Sequence, residues 1–83
     1  VKEIAVLVAR TVSGLQACYS PVENIHKNHI LDTTIVPADL PQAVTNRARQ
    51  IALVLSQAAN LRGLLAVEMF VTKDGSILVN ELA

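Results

Sequence analysis

Eighty-three residues, 52% of them hydrophobic and with no formal net charge, suit one small folded unit and exclude a disordered chain. Seven basic residues balance seven acidic ones, and Tyr19 and Phe70 are the only aromatics, which argues against a nucleic-acid partner. Single Cys18 excludes an internal disulfide framework, leaves a zinc site without its usual thiolates, and no apolar run reaches membrane-spanning length.

With no such run and no signal peptide, the chain is expected to be cytoplasmic and to have no membrane partner. It lacks an initiator Met, opens on a strand-like run and stops in another, so residues 1–83 read as a fragment of one domain of a longer protein.

Lys2 to Arg10 alternates as a strand, with Ile4, Val6 and Val8 on one face and Glu3 on the other. Ala5, Leu7 and Ala9 are apolar too, so both faces are expected to be covered. Thr11 to Gly14 is a turn, with Gly14 suited to positive φ. Leu15 to Tyr19 then pairs back on the first strand, and Pro21 ends or edges it. Glu23 to His29 is the most polar stretch and shows neither helical nor strand periodicity, which predicts a loop. Ile30 to Val36 is β-branched and extended.

Pro41 starts the one clear helix, with Asp39 upstream able to cap it or complement its dipole. Val44, Ala48, Ile51, Leu55 and Ala58 form an apolar stripe through about Ala59. Strands with hairpins at both ends around one long helix predict an α+β layer with a mainly antiparallel sheet.

The last stretch carries the chemistry. Two apolar runs, Leu64 to Val71 and Ile77 to Leu82, flank Asp74-Gly75, which suits a two-residue type I′ turn. With Lys73 paired to Ser76, Glu68 and Glu81 stand directly opposite, their Cβ atoms roughly 5 Å apart on one face. Like charges at that distance in apolar strands conflict unless a divalent cation lies between them. Mg²⁺ takes one or two carboxylates plus phosphate oxygens. An edge hairpin with both acids solvated fits the pattern equally well.

Glu3 reads as a paired or solvated acid. His26 and His29 lack a third ligand at zinc spacing, which leaves a single His that hydrogen-bonds a ligand or a solvated one. Cys18 has no activating neighbour and packs as a small hydrophobe. No Gly-rich phosphate loop is present. Asn80 points away from Glu81 in a regular strand, or toward the same ligand if the strand ends there.

Four blocks together resemble a known family: Lys2-Glu3-Ile4-Ala5-Val6, Pro21-Val22-Glu23-Asn24-Ile25-His26-Lys27-Asn28-His29-Ile30-Leu31, Ala66-Val67-Glu68-Met69-Phe70 and Val79-Asn80-Glu81-Leu82-Ala83. They are similar, in order and spacing, to N5-carboxyaminoimidazole ribonucleotide synthase, an ATP-grasp carboxylase of purine biosynthesis. The Glu-Asn-Ile-His block is the most specific, and the paired-Glu hairpin is shared across ATP-grasp ligases. The resemblance implies ATP and Mg²⁺ as cofactors, and 5-aminoimidazole ribonucleotide and bicarbonate as substrates. ATP would activate bicarbonate as carboxyphosphate, from which the amine takes the carboxyl group. It further implies that Glu3 hydrogen-bonds the ATP ribose, His26 lies at the nucleotide, Glu68 and Glu81 hold Mg²⁺, and Asn80 contacts nucleotide and metal. A homodimeric parent is also implied. Ser20 between Tyr19 and Pro21 departs from the family's Tyr-Pro and bears only on the local strand edge. The family's phosphate-covering loop and nucleotide-binding lysines would precede Val1, and part of its substrate site would follow Ala83, so these 83 residues alone are expected not to catalyse. Sister ligases such as biotin carboxylase or glycinamide ribonucleotide ligase would share the hairpin but not the Glu-Asn-Ile-His block. A silent nucleotide-binding module would keep the fold without the upstream lysines.

Overall fold

The structure, a computed structural model, describes residues 1–60 and 62–83. The strands β1 (Lys2–Arg10), β2 (Gln16–Cys18), β3 (Val22–Lys27) and β4 (Ile30–Ile35) precede one helix, α1 (Gln42–Ala59), and β5 (Gly63–Val71) and β6 (Ile77–Leu82) follow it. All pairings are antiparallel, in the order β4-β3-β1-β5-β6, with β2 beside β3 on the same edge of β1. The expected α+β layer with a mainly antiparallel sheet and one long helix is the observed architecture.

Alternation in β1 and β5 decides which face meets the helix. Ile4, Val6, Val8, Leu65, Val67, Met69 and Val71 are buried on one side, against Val44, Ala48 and Ala52 of α1. The buried row of α1 is Val44, Ala48, Ala52 and Ser56, and Ala58 of the expected stripe is exposed. Side-chain size explains the difference. The small residues let the helix approach the sheet closely, while the larger Ile51 and Leu55 flank the contact half-buried.

Asp39 does not cap the helix. Pro41 occupies the N-cap, its carbonyl accepting from the Val44 and Thr45 amides at 3.0 Å, with no side-chain cap. The Asp39 carbonyl instead accepts a hydrogen bond from Lys2 Nζ at 2.6 Å.

Ser56 has 1% exposure and its hydroxyl makes no hydrogen bond among the described residues. A buried unpaired hydroxyl carries its desolvation cost. Ser56→Ala is therefore expected to stabilise the fold by about 1 kcal/mol, read as a higher urea midpoint at unchanged slope.

The second face of β1 is not covered as expected. Leu7 is exposed and Ala5 and Ala9 are half-buried, so within this chain the sheet keeps one open face. The polar stretch from Glu23 also departs from expectation, because Val22–Lys27 is a strand. Its alternation was masked by polar residues on both faces: Glu23 pairs with Lys2 at 3.6 Å on one side, while Asn24 and His26 occupy the other. His26 therefore lies in β3 rather than in a loop. Asn28 and His29 form the turn to β4, with φ of 52° and 65°, the two left-handed positions of a type I′ hairpin.

Candidate functional site

The β5–β6 hairpin differs from its expected form twice, and the two differences cancel. Thr72, not Lys73, pairs with Ser76: the Thr72 amide donates to the Ser76 carbonyl at 2.9 Å, and the Gly75 amide to the Thr72 carbonyl at 3.0 Å. The loop thus has three residues, Lys73, Asp74 and Gly75, with Gly75 at φ +86° as the left-handed residue. Asp74 selects this form. Its Oδ1 accepts the Ser76 amide at 3.1 Å and the Thr72 hydroxyl, a local turn bond that a two-residue loop would not accommodate.

From Val71↔Ile77 the register runs back through Phe70↔Leu78 and Met69↔Val79. Continued regularly, it would set Glu68 against Asn80. A β-bulge at this point inserts Asn80, and Glu81 becomes the partner of Glu68. The facing carboxylates are as expected, but the bulge produces them.

The hydrogen bonds from Thr72, and then from Ser76, hold the Asp74 carboxyl below its ordinary value. A depressed folded pKa means that the turn is fully supported above the unfolded value, about 3.9. That support is lost as pH falls through the lower folded value. Acid titration of the Gly75 and Ser76 amide resonances is expected to show the turn loosening only below the usual carboxylate range. In Asp74→Asn this acid step should be absent.

On the open face, β1, β3, β5 and β6 bring several polar groups together. A cleft of about 200 Å³ is lined by Glu3, Asn24, His26, Glu68, Phe70 and Asn80, among others. Glu3 pairs with Asn24 across β1–β3 and with Phe70 across β1–β5, and Glu68 lies opposite Ala5. His26 Nδ1–H donates to Glu3 Oε2 at 2.5 Å, which fixes the ring and leaves Nε2 for another partner. Glu81 faces Glu68 outside the lining of this cleft. Neither Glu68 nor Glu81 has an ion pair or side-chain hydrogen bond among the described residues. Four of the five sequence-derived site residues, Glu3, His26, Glu68 and Asn80, thus share one cleft, with Glu81 at its margin. His29 sits at the β3–β4 turn, away from them. Sequence reasoning missed Asn24 and Phe70. Their signal was positional, since each lies two residues from a singled-out site residue on the same strand.

Two further facts concern the described residues. No three His, Cys, Asp or Glu side chains group closely enough to hold a metal by themselves. No helix is long and apolar enough to cross a membrane.

The sequence that folds into this helix-backed antiparallel sheet matches the ATP-grasp domain over residues 1–83. The chain belongs to the ATP-grasp family. Among curated proteins it is 47% identical, over 81 residues, to the N5-carboxyaminoimidazole ribonucleotide synthase of Bacillus subtilis (strain 168), a match that takes in 98% of this chain and 21% of that protein. It is 39% identical over 82 residues to the phosphoribosylaminoimidazole carboxylase of Saccharomyces cerevisiae, covering 99% and 14% respectively. Among solved structures, an ADP complex of N5-carboxyaminoimidazole ribonucleotide synthetase superposes with a TM-score of 0.95 at 48% identity, over 99% of this chain and 22% of that one. The Aspergillus clavatus N5-carboxyaminoimidazole synthase, solved with ADP and 5-aminoimidazole ribonucleotide, gives 0.83 at 29% identity, over 99% and 22%. The chain thus spans between 14% and 22% of the length of these relatives. The resemblance read from the four sequence blocks holds along the chain, and the sister-ligase alternative is not favoured.

Proposed function

We propose that this chain supplies the nucleotide- and metal-binding face of an ATP- and Mg²⁺-dependent carboxylase. Its reaction converts 5-aminoimidazole ribonucleotide and bicarbonate to N5-carboxyaminoimidazole ribonucleotide. The observation that carries the reading is the gathering of Glu3, His26, Glu68 and Asn80 on one cleft, with Glu81 opposite Glu68. The names and bound ligands of the relatives support it.

Mg²⁺ fits the donor set. Two facing carboxylates with no cationic partner among the described residues are hard oxygen ligands in a number typical of nucleotide-bound Mg²⁺, whose other ligands come from phosphates and water. When bound, the cation neutralises charge on the phosphate oxygens. Glu68 and Glu81 would hold it from adjacent strands, and Asn80 would offer its amide to the nucleotide. Glu3 keeps one carboxylate oxygen on His26 and presents the other to a sugar hydroxyl. His26, oriented by Glu3, presents Nε2 to the nucleotide. The helix-backed core keeps these strands in register and so sets the spacing of all five groups. The same reading includes a cytoplasmic, homodimeric complete protein, on the strength of the family resemblance.

The test follows ADP release by the complete gene product that carries this sequence, with Mg-ATP and bicarbonate. Strong stimulation by 5-aminoimidazole ribonucleotide is the expected result. Stimulation by another acceptor, such as biotin or phosphoribosylamine, would move the protein to a sister ligase, and nucleotide binding without turnover on any acceptor would make it a silent module.

A further inference from the structure

Asn24 is a polar residue of the cleft that neither the metal pair nor the Glu3–His26 pair employs. It stands between Glu3 on β1 and Thr34 on β4 in one cross-strand row of the open face. Thr34 Oγ1 donates to Asn24 Oδ1 at 3.1 Å, which commits the carbonyl end of the amide toward β4. Nδ2 has no hydrogen bond among the described residues. Glu3 is the complement: Oε2 accepts from His26, and Oε1 has no partner there.

A free amide donor and a free carboxylate acceptor thus occupy neighbouring register positions, with Cβ atoms about 5 Å apart. The chemistry of a partner follows from that pair. A phosphate oxygen would satisfy the amide but be repelled by the carboxylate. A hydroxyl both donates and accepts, so adjacent hydroxyls satisfy Glu3 and Asn24 together.

We infer that Asn24 donates a hydrogen bond to a ribose hydroxyl of the nucleotide beside Glu3, with Thr34 as its positioning residue, and so sets selectivity for ribonucleotides over deoxyribonucleotides. This inference rests on the nucleotide-site reading above. A site built to hydrogen-bond a hydroxyl rejects the analogue lacking it, because its own polar groups are then left unpaired.

The experiment measures binding of ATP, 2′-deoxy-ATP and 3′-deoxy-ATP to the complete gene product, in wild type, Asn24→Ala and Thr34→Val. Wild type is expected to prefer ATP by about tenfold or more over each deoxy form, the scale of one net hydrogen bond. Asn24→Ala should erase the preference against one deoxy form, by weakening ATP and leaving that analogue unchanged. Thr34→Val, which leaves the amide in place but unanchored, should reduce the same preference in part. Unchanged ratios in both variants, with ATP still bound, overturn the inference alone. A change in preference between ATP and GTP in place of the deoxy ratios, which would mean a contact to the base, also overturns it. Failure of wild type to bind any of the three overturns the nucleotide-site reading and this inference with it.

Discussion

Glu81→Gln in the complete gene product is expected to lower ATP-dependent turnover by about a hundredfold or more, since a metal-held phosphate contributes several kcal/mol to transition-state stabilisation. The same substitution should slightly stabilise the metal-free protein. Glu68 and Glu81 are direct cross-strand partners, and neither has a cation beside it among the described residues. Glu81 is exposed and Glu68 half-buried, so removing one of two facing like charges relieves a repulsion of roughly 0.3 kcal/mol. Activity and stability therefore move in opposite directions, a signature that general damage to the hairpin would not give. Glu68→Gln should behave alike. Steady-state kinetics beside urea denaturation in a metal chelator check both parts. Unchanged turnover with raised stability would mean that the pair is merely solvated.

The largest effect on stability is expected from Met69→Ala. Met69 is 1% exposed in β5, on the helix-facing side, and follows Glu68 directly. Truncation of such a buried side chain costs about 2–5 kcal/mol, a large share of the 5–15 kcal/mol that typical domains possess. Because neighbouring strand residues point to opposite faces, loosening Met69 also loosens the register that holds Glu68. Met69→Leu conserves volume and should cost less than about 1.5 kcal/mol. Chemical denaturation of the two variants, with nucleotide binding measured beside it, is expected to show both properties lost in Met69→Ala and kept in Met69→Leu.

Most of the fold was legible because period-two alternation in β1 and β5 and three-to-four spacing in α1 are strong signals. The failures have local causes. β3 carries polar residues on both faces, so no alternation survived in Glu23 to Lys27, and its turn uses Asn28-His29 where glycine would have been the cue. The helix stripe was rotated because residue size, not hydropathy, chose Ala52 and Ser56 to face the sheet. At the candidate site, Glu68↔Glu81 was found from a turn one residue too short, and the bulge at Asn80 restored the pairing. A bulge leaves little trace in one sequence, since Val79-Asn80-Glu81 reads equally well as a regular strand. The register through Met69↔Val79 already directs Asn80 to the Glu68 face, and the bulge sets Glu81, which a regular strand would alternate away, opposite Glu68 as well. The closeness of Glu3 and His26 depends on the β1–β3 pairing, which could not be read before β3 was recognised as a strand.

The most direct test of the proposed metal-holding role of Glu68 and Glu81 is calorimetric titration of ATP into the complete gene product with and without Mg²⁺, in wild type and Glu68→Gln. Mg²⁺ is expected to tighten ATP binding by about tenfold or more in wild type and to give no gain in the variant. An equal Mg²⁺ dependence in both proteins would contradict a cation held between Glu68 and Glu81.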